Sequence, residues 1–235
     1  MEKILATAVN YIKTHNTPYR YLAYRDVPQI IRSYLQEGRA LDYGTGTGRS
    51  AQFLVELGFN VVGVDVNPEM LHQAKLQYPN FSFHPIENGI IPFEDSSFDL
   101  VFSSFVLSEI SSRHKILKYL TEAKRVMKNK KSLFIAITGS ERLYHTSKKW
   151  LDFNTDFPEN NNLVSSNPVK LYHCPSQIEF ADYYWTEVDY QLSFQSTGLN
   201  LIEIKSPLGN ENEGYPWQDE LVFSPFIILI ATPNF

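Results

Sequence analysis

The stretch LDYGTGTGRS, residues 41–50, leaves an apolar start through an aspartate, spends Gly44, Gly46 and Gly48 on a bare backbone, and ends on Arg49 and Ser50. Upstream, RALDY (39–43) is short and strand-like. Downstream, SAQFLVELG (50–58) sets Ala51, Phe53, Leu54 and Leu57 on one helical face, with Gly58 as a left-handed stop. The glycines therefore occupy a loop between a strand and a helix. In an open parallel sheet such a loop, at the carboxyl end of its strand, is where ligands bind. Glycine there reaches positive φ freely and lets the main chain approach a bound molecule. A tight turn without a guest uses the same residues, so the loop alone does not decide between the two.

The alternation continues outward. NVVGVDV (60–66) is a β-branched run of the kind buried on both faces of a parallel sheet. NPEMLHQAKLQY (67–78) opens with Asn67 as helix cap and Pro68 at the first helical position. FSFH (81–84) and FDLVFSS (98–104) read as strands, Ile116, Leu117, Leu120, Ala123 and Met127 mark a helix, and SLFIAIT (132–138) is a further strand. Strand and helix alternate from residue 39 to about 138, which predicts an α/β fold with a parallel sheet covered on both faces.

The flanks differ. Ile4, Leu5, Ala8, Val9 and Ile12 predict one helix, and Val27, Ile30, Ile31, Tyr34 and Leu35 a second that Gly38 ends. Between them TPYRYLAYRDVP (17–28) reads as a packed connector, with a ligand contact as the alternative. Residues 139–185 carry aromatic, Asn and Pro residues without a steady period, too many for an idle loop. Thr186 and Asp189 are spaced as a capping box for a helix that Gly198 stops, and LNLIEIK (199–205) and FIILIAT (226–232) are strands.

Composition narrows the partners. Among 235 residues, 26 acidic against 21 basic side chains leave a net charge of −5, with no basic clustering beyond the short run Lys128–Lys131. That argues against a nucleic acid, which needs clustered positive charge, and favours a small-molecule partner. The single cysteine, Cys174, excludes an internal disulfide framework and multi-thiolate metal sites and points to a reducing compartment. The longest apolar run, Phe226–Ala231, falls short of the ~20 residues of a spanning helix, and MEKILATAVNYIK is too charged for a secretory signal. The expectation is a soluble, cytoplasmic protein with no membrane partner and no metal.

Spacing discriminates among guests for the glycine loop. A dinucleotide fingerprint requires G-x-G-x-x-G, whereas here the pattern is G-x-G-x-G and position 49 is arginine. Asp65 closes the second strand about twenty residues after Gly44, where a carboxylate accepts from both hydroxyls of a ribose. Loop and carboxylate together imply an adenosine-like group across the sheet edge. Val66 and Met70 either pack on its base or belong to the core.

LDYGTGTGRSAQFL (41–54), VVGVDVNPEML (61–71) and IENGIIPFEDSSFDLVFSSFVLSEI (86–110), in this order, resemble the successive motifs of the class I S-adenosylmethionine-dependent methyltransferases. The resemblance runs from about residue 39 to 138. DYYWTEVDYQLSFQSTGL (182–199) and WQDELVFSPFIILIA (217–231) are similar, more weakly, to the tail of small-molecule members. It implies one domain over 1–235 with a Rossmann-like, seven-stranded, mostly parallel sheet: a helical lid (1–38), a cofactor-binding core (39–138), an insertion forming the acceptor region (139–185), and a C-terminal helix with the last two, antiparallel strands (186–235). The cofactor it implies is S-adenosylmethionine. Asp42 would organise the loop and the methionine amino end, Gly44, Thr45, Gly46 and Gly48 would line the methionine and ribose, and Asp65 would take the ribose hydroxyls. Glu87 and Asn88 stand where many relatives have Asp-Ala, so Glu87 would accept from the adenine amino group with a longer reach. Ser103 would offer its carbonyl to the ligand ammonium, and Arg25 with its neighbouring tyrosines would close over the carboxylate.

Methyl transfer from a sulfonium is an in-line displacement with an activated donor, so alignment and exclusion of water dominate and no universal catalytic residue is required. A hydroxyl or protonated amine acceptor needs a base; a soft nucleophile does not. Between 139 and 225 the side chains able to serve are His145, His173, Tyr183, Tyr184, Trp185, Glu187, Asp219 and Glu220. Sequence singles out the region rather than a residue, and its aromatic density suits a planar or cationic acceptor. The competing functions are a nicotinamide-dependent oxidoreductase and a non-catalytic pseudo-methyltransferase that works through a protein partner.

Overall fold

The computed structural model describes residues 17–234; the helix expected around Ile4–Ile12 lies outside the described residues. The strands are β1 (Arg39–Tyr43), β2 (Asn60–Asp65), β3 (Ser82–Pro85), β4 (Leu100–Ser104), β5 (Leu133–Gly139), β6 (Phe153–Asn154), β7 (Pro168–His173), β8 (Ile178–Tyr183), β9 (Leu199–Lys205) and β10 (Phe226–Pro233). Seven of them form one sheet in the order β3-β2-β1-β4-β5-β10-β9. Neighbours are parallel from β3 to β5, and β10 pairs antiparallel with both β5 and β9. The chain builds outward from β1 to β3, then crosses back to lay β4 on the other side of β1. That reversal opens a crevice at the carboxyl ends of β1 and β4, the place where open α/β sheets take ligands.

Side-chain alternation divides the core into two layers. On β5, Ile135 and Ile137 pack to one face with Leu54 of α3 (Arg49–Glu56) and Ala74 of α4 (Pro68–Gln77). Phe134 and Ala136 pack to the other with Leu120 and Ala123 of α5 (Arg113–Val126) and Phe194 of α6 (Glu187–Thr197). The expected seven-stranded, mostly parallel sheet with helices on both faces is thus the observed architecture. Its local punctuation is also as expected: the Asn67 side chain accepts from the amides of Glu69 and Met70, Thr186 and Asp189 cap reciprocally, and Gly198 has φ 72°.

Three expectations need correction. TPYRYLAYRDVP is not a connector: it forms α1 (Pro18–Tyr24) and starts α2 (Val27–Tyr34), each with its proline at the first or second helical position, where the absent N–H costs little. Gly38 does not end α2, whose last turn closes at Leu35. Instead it makes room for Asp99, since a Cβ at position 38 would lie 2.8 Å from Asp99 Oδ2. Residues 139–185 contain a second, three-stranded antiparallel sheet, β6-β7-β8. Val169, Leu171 and His173 alternate inward on β7, a period of two that ends on a polar residue and lies among irregular flanks.

Gly63, in the middle of β2, is held to glycine by space. A Cβ there would come 2.6 Å from the Phe83 ring and 2.7 Å from Thr45 Oγ1. Gly63→Ala is expected to destabilise the fold by about 1–3 kcal/mol through overpacking, read as a lower urea midpoint with unchanged slope; an unchanged midpoint would contradict this packing.

Candidate active site

The glycine loop is fastened to the second strand. The amides of Gly44 and Thr45 both donate to the Val64 carbonyl, at 2.8 and 2.9 Å. One oxygen of Asp65 accepts from the Gly46 amide at 2.8 Å and the other from the Asn67 amide at 2.8 Å. Gly44 (φ 85°) tolerates no side chain, because a Cβ would lie 2.3 Å from Val106 Cγ2. Gly46 (φ 53°) has nothing within 4 Å of where a Cβ would stand. The loop is therefore bare on the side that faces a cleft of about 570 Å³ at the topological reversal.

Gly44, Gly46, Asp65, Val66 and Met70 line this cleft, so Val66 and Met70 face it rather than the core. Gly48 (φ 88°) caps α3 and lies against Tyr78 and Phe83, outside the cleft. Asp42 and Thr45 are buried beneath the loop. Asp42 Oδ2 accepts from Thr45 Oγ1 and from Ser50 Oγ at 2.7 Å, while Oδ1 is buried with no hydrogen-bond partner. Burial, helped by the Asp65 charge, pushes the Asp42 carboxyl up to about 7, against the pull of those two hydroxyls and of the Ala51 amide. Asp65 is also raised, burial outweighing its bonds from the backbone.

Glu87, Asn88, Arg25 and the side chain of Ser103 do not line the cleft. Glu87 and Asn88 are exposed in a turn, Asn88 at φ 54°, and the wall is supplied by Ile86 and Gly89 on either side. The Ser103 side chain turns from the cleft to meet the Tyr119 hydroxyl at 2.8 Å; Tyr119 in turn donates to the Tyr43 carbonyl and stacks on the Tyr43 ring. Ser104 lines the cleft instead, and accepts from the Tyr24 hydroxyl at 2.6 Å. Arg25 points away, paired with Asp26 and Glu213. Arg20 is the arginine near the cleft, buried with its guanidinium over the rings of Tyr19 and Phe105.

Beyond Phe105 lies a second, inner cavity of about 40 Å³. The rings of Tyr19, Phe105, Phe153, Phe180 and Phe226 line it, with Ser108, Glu109 and Asp182 as its polar groups. Glu109, on the turn Leu107–Glu109 that follows β4, and Phe105 border both spaces. Glu109 is exposed as a residue, open to the cleft, but its carboxyl is closely surrounded by protein atoms; desolvation there, then the like charges of Asp182 and Asp65, push it up to about 8. Asp182 is pushed up to about 6 by burial and accepts from the Tyr144 hydroxyl at 2.8 Å. The Trp185 indole donates to the Ile110 carbonyl at 3.0 Å, tying the end of the insertion to the turn that carries Glu109.

The region 139–185 therefore does supply cavity wall, but through residues the sequence did not single out. His145 is exposed; Tyr183 packs into the core layer under α6; Tyr184 is buried, its ring edge toward Tyr144. Trp185 is spent on Ile110 and Glu187 begins α6. Asp219 and Glu220 accept from the backbone amides of Lys149, Leu151 and Gln218, a clip between loops. His173 is buried behind Tyr19 and Phe153, bonded to Ser176, and burial holds its pKa down to about 4. The one sequence cue for Glu109 was a carboxylate inside the otherwise apolar FVLSEI that leaves a central strand. Among the described residues no three His, Cys, Asp or Glu side chains are grouped so as to hold a metal.

Comparison with known proteins bears on the fold and the family. Residues 41–135 match a family model described as a methyltransferase domain. The demethylmenaquinone methyltransferase of Tropheryma whipplei is 31% identical over 166 residues, 67% of this chain and 66% of that protein. The malonyl-[acyl-carrier protein] O-methyltransferase of Erwinia billingiae is 28% identical over 125 residues, 53% of this chain and 49% of that one. The chain thus spans just under two thirds of the first relative and about half of the second. Among solved structures, a SAM-dependent methyltransferase of Methanosarcina mazei superposes with a TM-score of 0.66 at 19% identity, covering 88% of this chain and 97% of that one, which establishes a shared fold.

The buried Asp42 generates a pH dependence. Its folded pKa of about 7 lies above the roughly 4 of an unfolded chain, so its contribution to stability is whole below pH ~4 and is lost as pH rises toward 7. Asp42→Asn cannot ionise. Thermal melting of the ligand-free variant is expected to fall less steeply than that of the parent between about pH 5 and 7.5; parallel slopes would contradict it.

Proposed function

We propose, for a chain that belongs to the S-adenosylmethionine-dependent methyltransferases, that it transfers a methyl group from S-adenosylmethionine to a small-molecule acceptor held in the aromatic cavity. The observation that carries this reading is the Asp65 carboxylate, clamped by the amides of Gly46 and Asn67 at the mouth of a cleft whose loop face is bare. The residues present fit the donor. Asp65 keeps lone pairs free for two ribose hydroxyls. The orphaned Oδ1 of Asp42 is a buried acceptor in want of a cationic donor, and the methionine ammonium is one. Val66 and Met70 offer apolar contact to the adenine, with the chain at Ile86 and Gly89 on its edge. Glu87 and Asn88 reach that edge only by swinging in from solvent, and Ser103 takes part through its carbonyl alone.

The donor supplies a methyl group on a cationic sulfonium, a carbon already activated for displacement. The protein's work is then to align and to keep water out. The loop and Asp65 fix the sugar, Tyr24 of α1 closes on Ser104, and the rings beyond Phe105 present an apolar wall to the acceptor. The cavity is small, so those rings must part to admit it. The two relatives act, by their names, on a demethylmenaquinone and on a carrier-bound malonyl group, which supports a small-molecule acceptor without choosing one for this chain. A reducing, cytoplasmic setting is supported by the lone thiol of Cys174; among the described residues no helix is long and apolar enough to cross a membrane.

Calorimetry tests the reading. S-adenosylmethionine and S-adenosylhomocysteine are expected to bind and NAD to give no heat; binding of NAD alone would favour an oxidoreductase, and silence throughout a non-catalytic module. Asp65→Ala is expected to weaken S-adenosylhomocysteine by at least tenfold, the loss of hydrogen bonds to a charged acceptor being worth about 1.5–3 kcal/mol. Undiminished affinity would overturn the assignment of the cleft.

A further inference from the structure

We infer that Glu109 is the general base of the methyl transfer and that the acceptor is a small amine on a flat, apolar skeleton, an inference that rests on reading the glycine-loop cleft as the donor site. A methyl group passing from that cleft to the aromatic cavity crosses their common border, which consists of Phe105 and Glu109. Of the two only Glu109 can take a proton. The other polar groups on the cavity wall are engaged: Asp182 accepts from Tyr144, and Ser108 shares the same tyrosine hydroxyl. No hydrogen bond or ion pair engages the Glu109 carboxylate among the described residues, so it is free to meet a ligand.

The wall chemistry selects the acceptor. Two carboxylates, Glu109 and Asp182, face a space otherwise made of rings. An anionic acceptor adds like charge beside two acidic groups, whereas an ammonium favours the carboxylate form of both and meets the π faces of surrounding aromatics. The rings exclude bulky polar acceptors by shape.

The proton balance closes. The acceptor enters as R–NH3+ and gives one proton to the Glu109 carboxylate, leaving R–NH2. The nitrogen lone pair forms the new N–C bond as the C–S bond breaks with its electron pair going to sulfur. The products are R–NH2+–CH3, S-adenosylhomocysteine and a protonated Glu109, which returns its proton to solvent through the cleft. The charged and titratable groups of the two spaces that Glu109 borders are Asp182 on β8, Asp65 of β2, Tyr19 of α1, Tyr43 of β1, and Lys115, Lys118 and Tyr119 of α5, with Tyr144 bonded to Asp182 and Arg20 over the Phe105 ring. Desolvation first, and then the charges of Asp182 and Asp65, disfavour the Glu109 carboxylate in the empty protein; entering cations favour it.

The experiment uses the full chain and a matched series: phenethylamine, 2-phenylethanol and phenylacetate. With S-adenosylhomocysteine bound, calorimetry is expected to show binding of the amine and at least tenfold weaker binding of the other two, a preference that Asp182→Asn reduces. With S-adenosylmethionine, methylation of phenethylamine is expected to fall at least 100-fold in Glu109→Gln, to recover in part in Glu109→Asp, and in the parent to rise with pH toward about 8. S-adenosylhomocysteine affinity should stay within threefold in Glu109→Gln. Equal or better binding of the alcohol or the acid, or no binding of the amine, overturns the acceptor class. Undiminished turnover in Glu109→Gln, or a loss of S-adenosylhomocysteine affinity there, overturns the base. Failure of S-adenosylhomocysteine to bind the parent protein would instead strike the methyltransferase reading itself.

Discussion

The site depends on the coupling of the glycine loop to the next strand through the Asp65 carboxylate. Its two oxygens take the amides of Gly46 and Asn67, so one side chain sets both the loop after β1 and the entry to α4. The Val64 carbonyl takes two more loop amides from the same side. A loop of this composition would otherwise sample many conformations, since its glycines restrict φ least of all residues. Fastening it to β2 turns that freedom into a fixed, bare surface at the place where the sheet reverses direction.

Around this surface the protein gathers acids whose ionised form it disfavours. Asp42 lies beneath the loop, Glu109 at the border of the two spaces and Asp182 in the inner cavity, all raised first by burial. Each is a liability in the empty protein and an asset toward a cation, because the free energy withheld from the charged carboxylate is recovered when an opposite charge arrives. A sulfonium with an ammonium on the same molecule is the partner proposed for the outer cleft. The inner cavity repeats the arrangement with rings in place of amides.

The second sheet explains why this cavity exists. Phe153, Leu171 and Phe180 of β6, β7 and β8 meet Tyr19 of α1 and Phe226 of β10, so the cavity is built where the insertion, the N-terminal helices and the last strand come together. Its position beside the glycine-loop cleft is held by the Trp185 bond to Ile110 and by the Tyr144–Asp182 pair that links the segment after β5 to β8.

Legible in the chain before any folding were the alternation of strand and helix, the caps at Asn67, Thr186 and Gly198, and the pairing of a glycine loop with a carboxylate one strand away. These are legible because they rest on local rules, periodicity and capping and turn chemistry, that act within a few residues. Sequence reading missed α1, whose proline opens a helix rather than breaking one, and the β6–β8 sheet, whose alternation is hidden among polar and proline residues. It named His145, Tyr184 and Glu220 and passed over Glu109 and Asp182, since all are equally plausible as letters. Only the tertiary structure decided between them: it spends Glu220 on backbone amides, turns His145 to solvent, and brings a carboxylate from the turn after β4 beside another from β8, 73 positions apart, in a space that neither segment encloses alone.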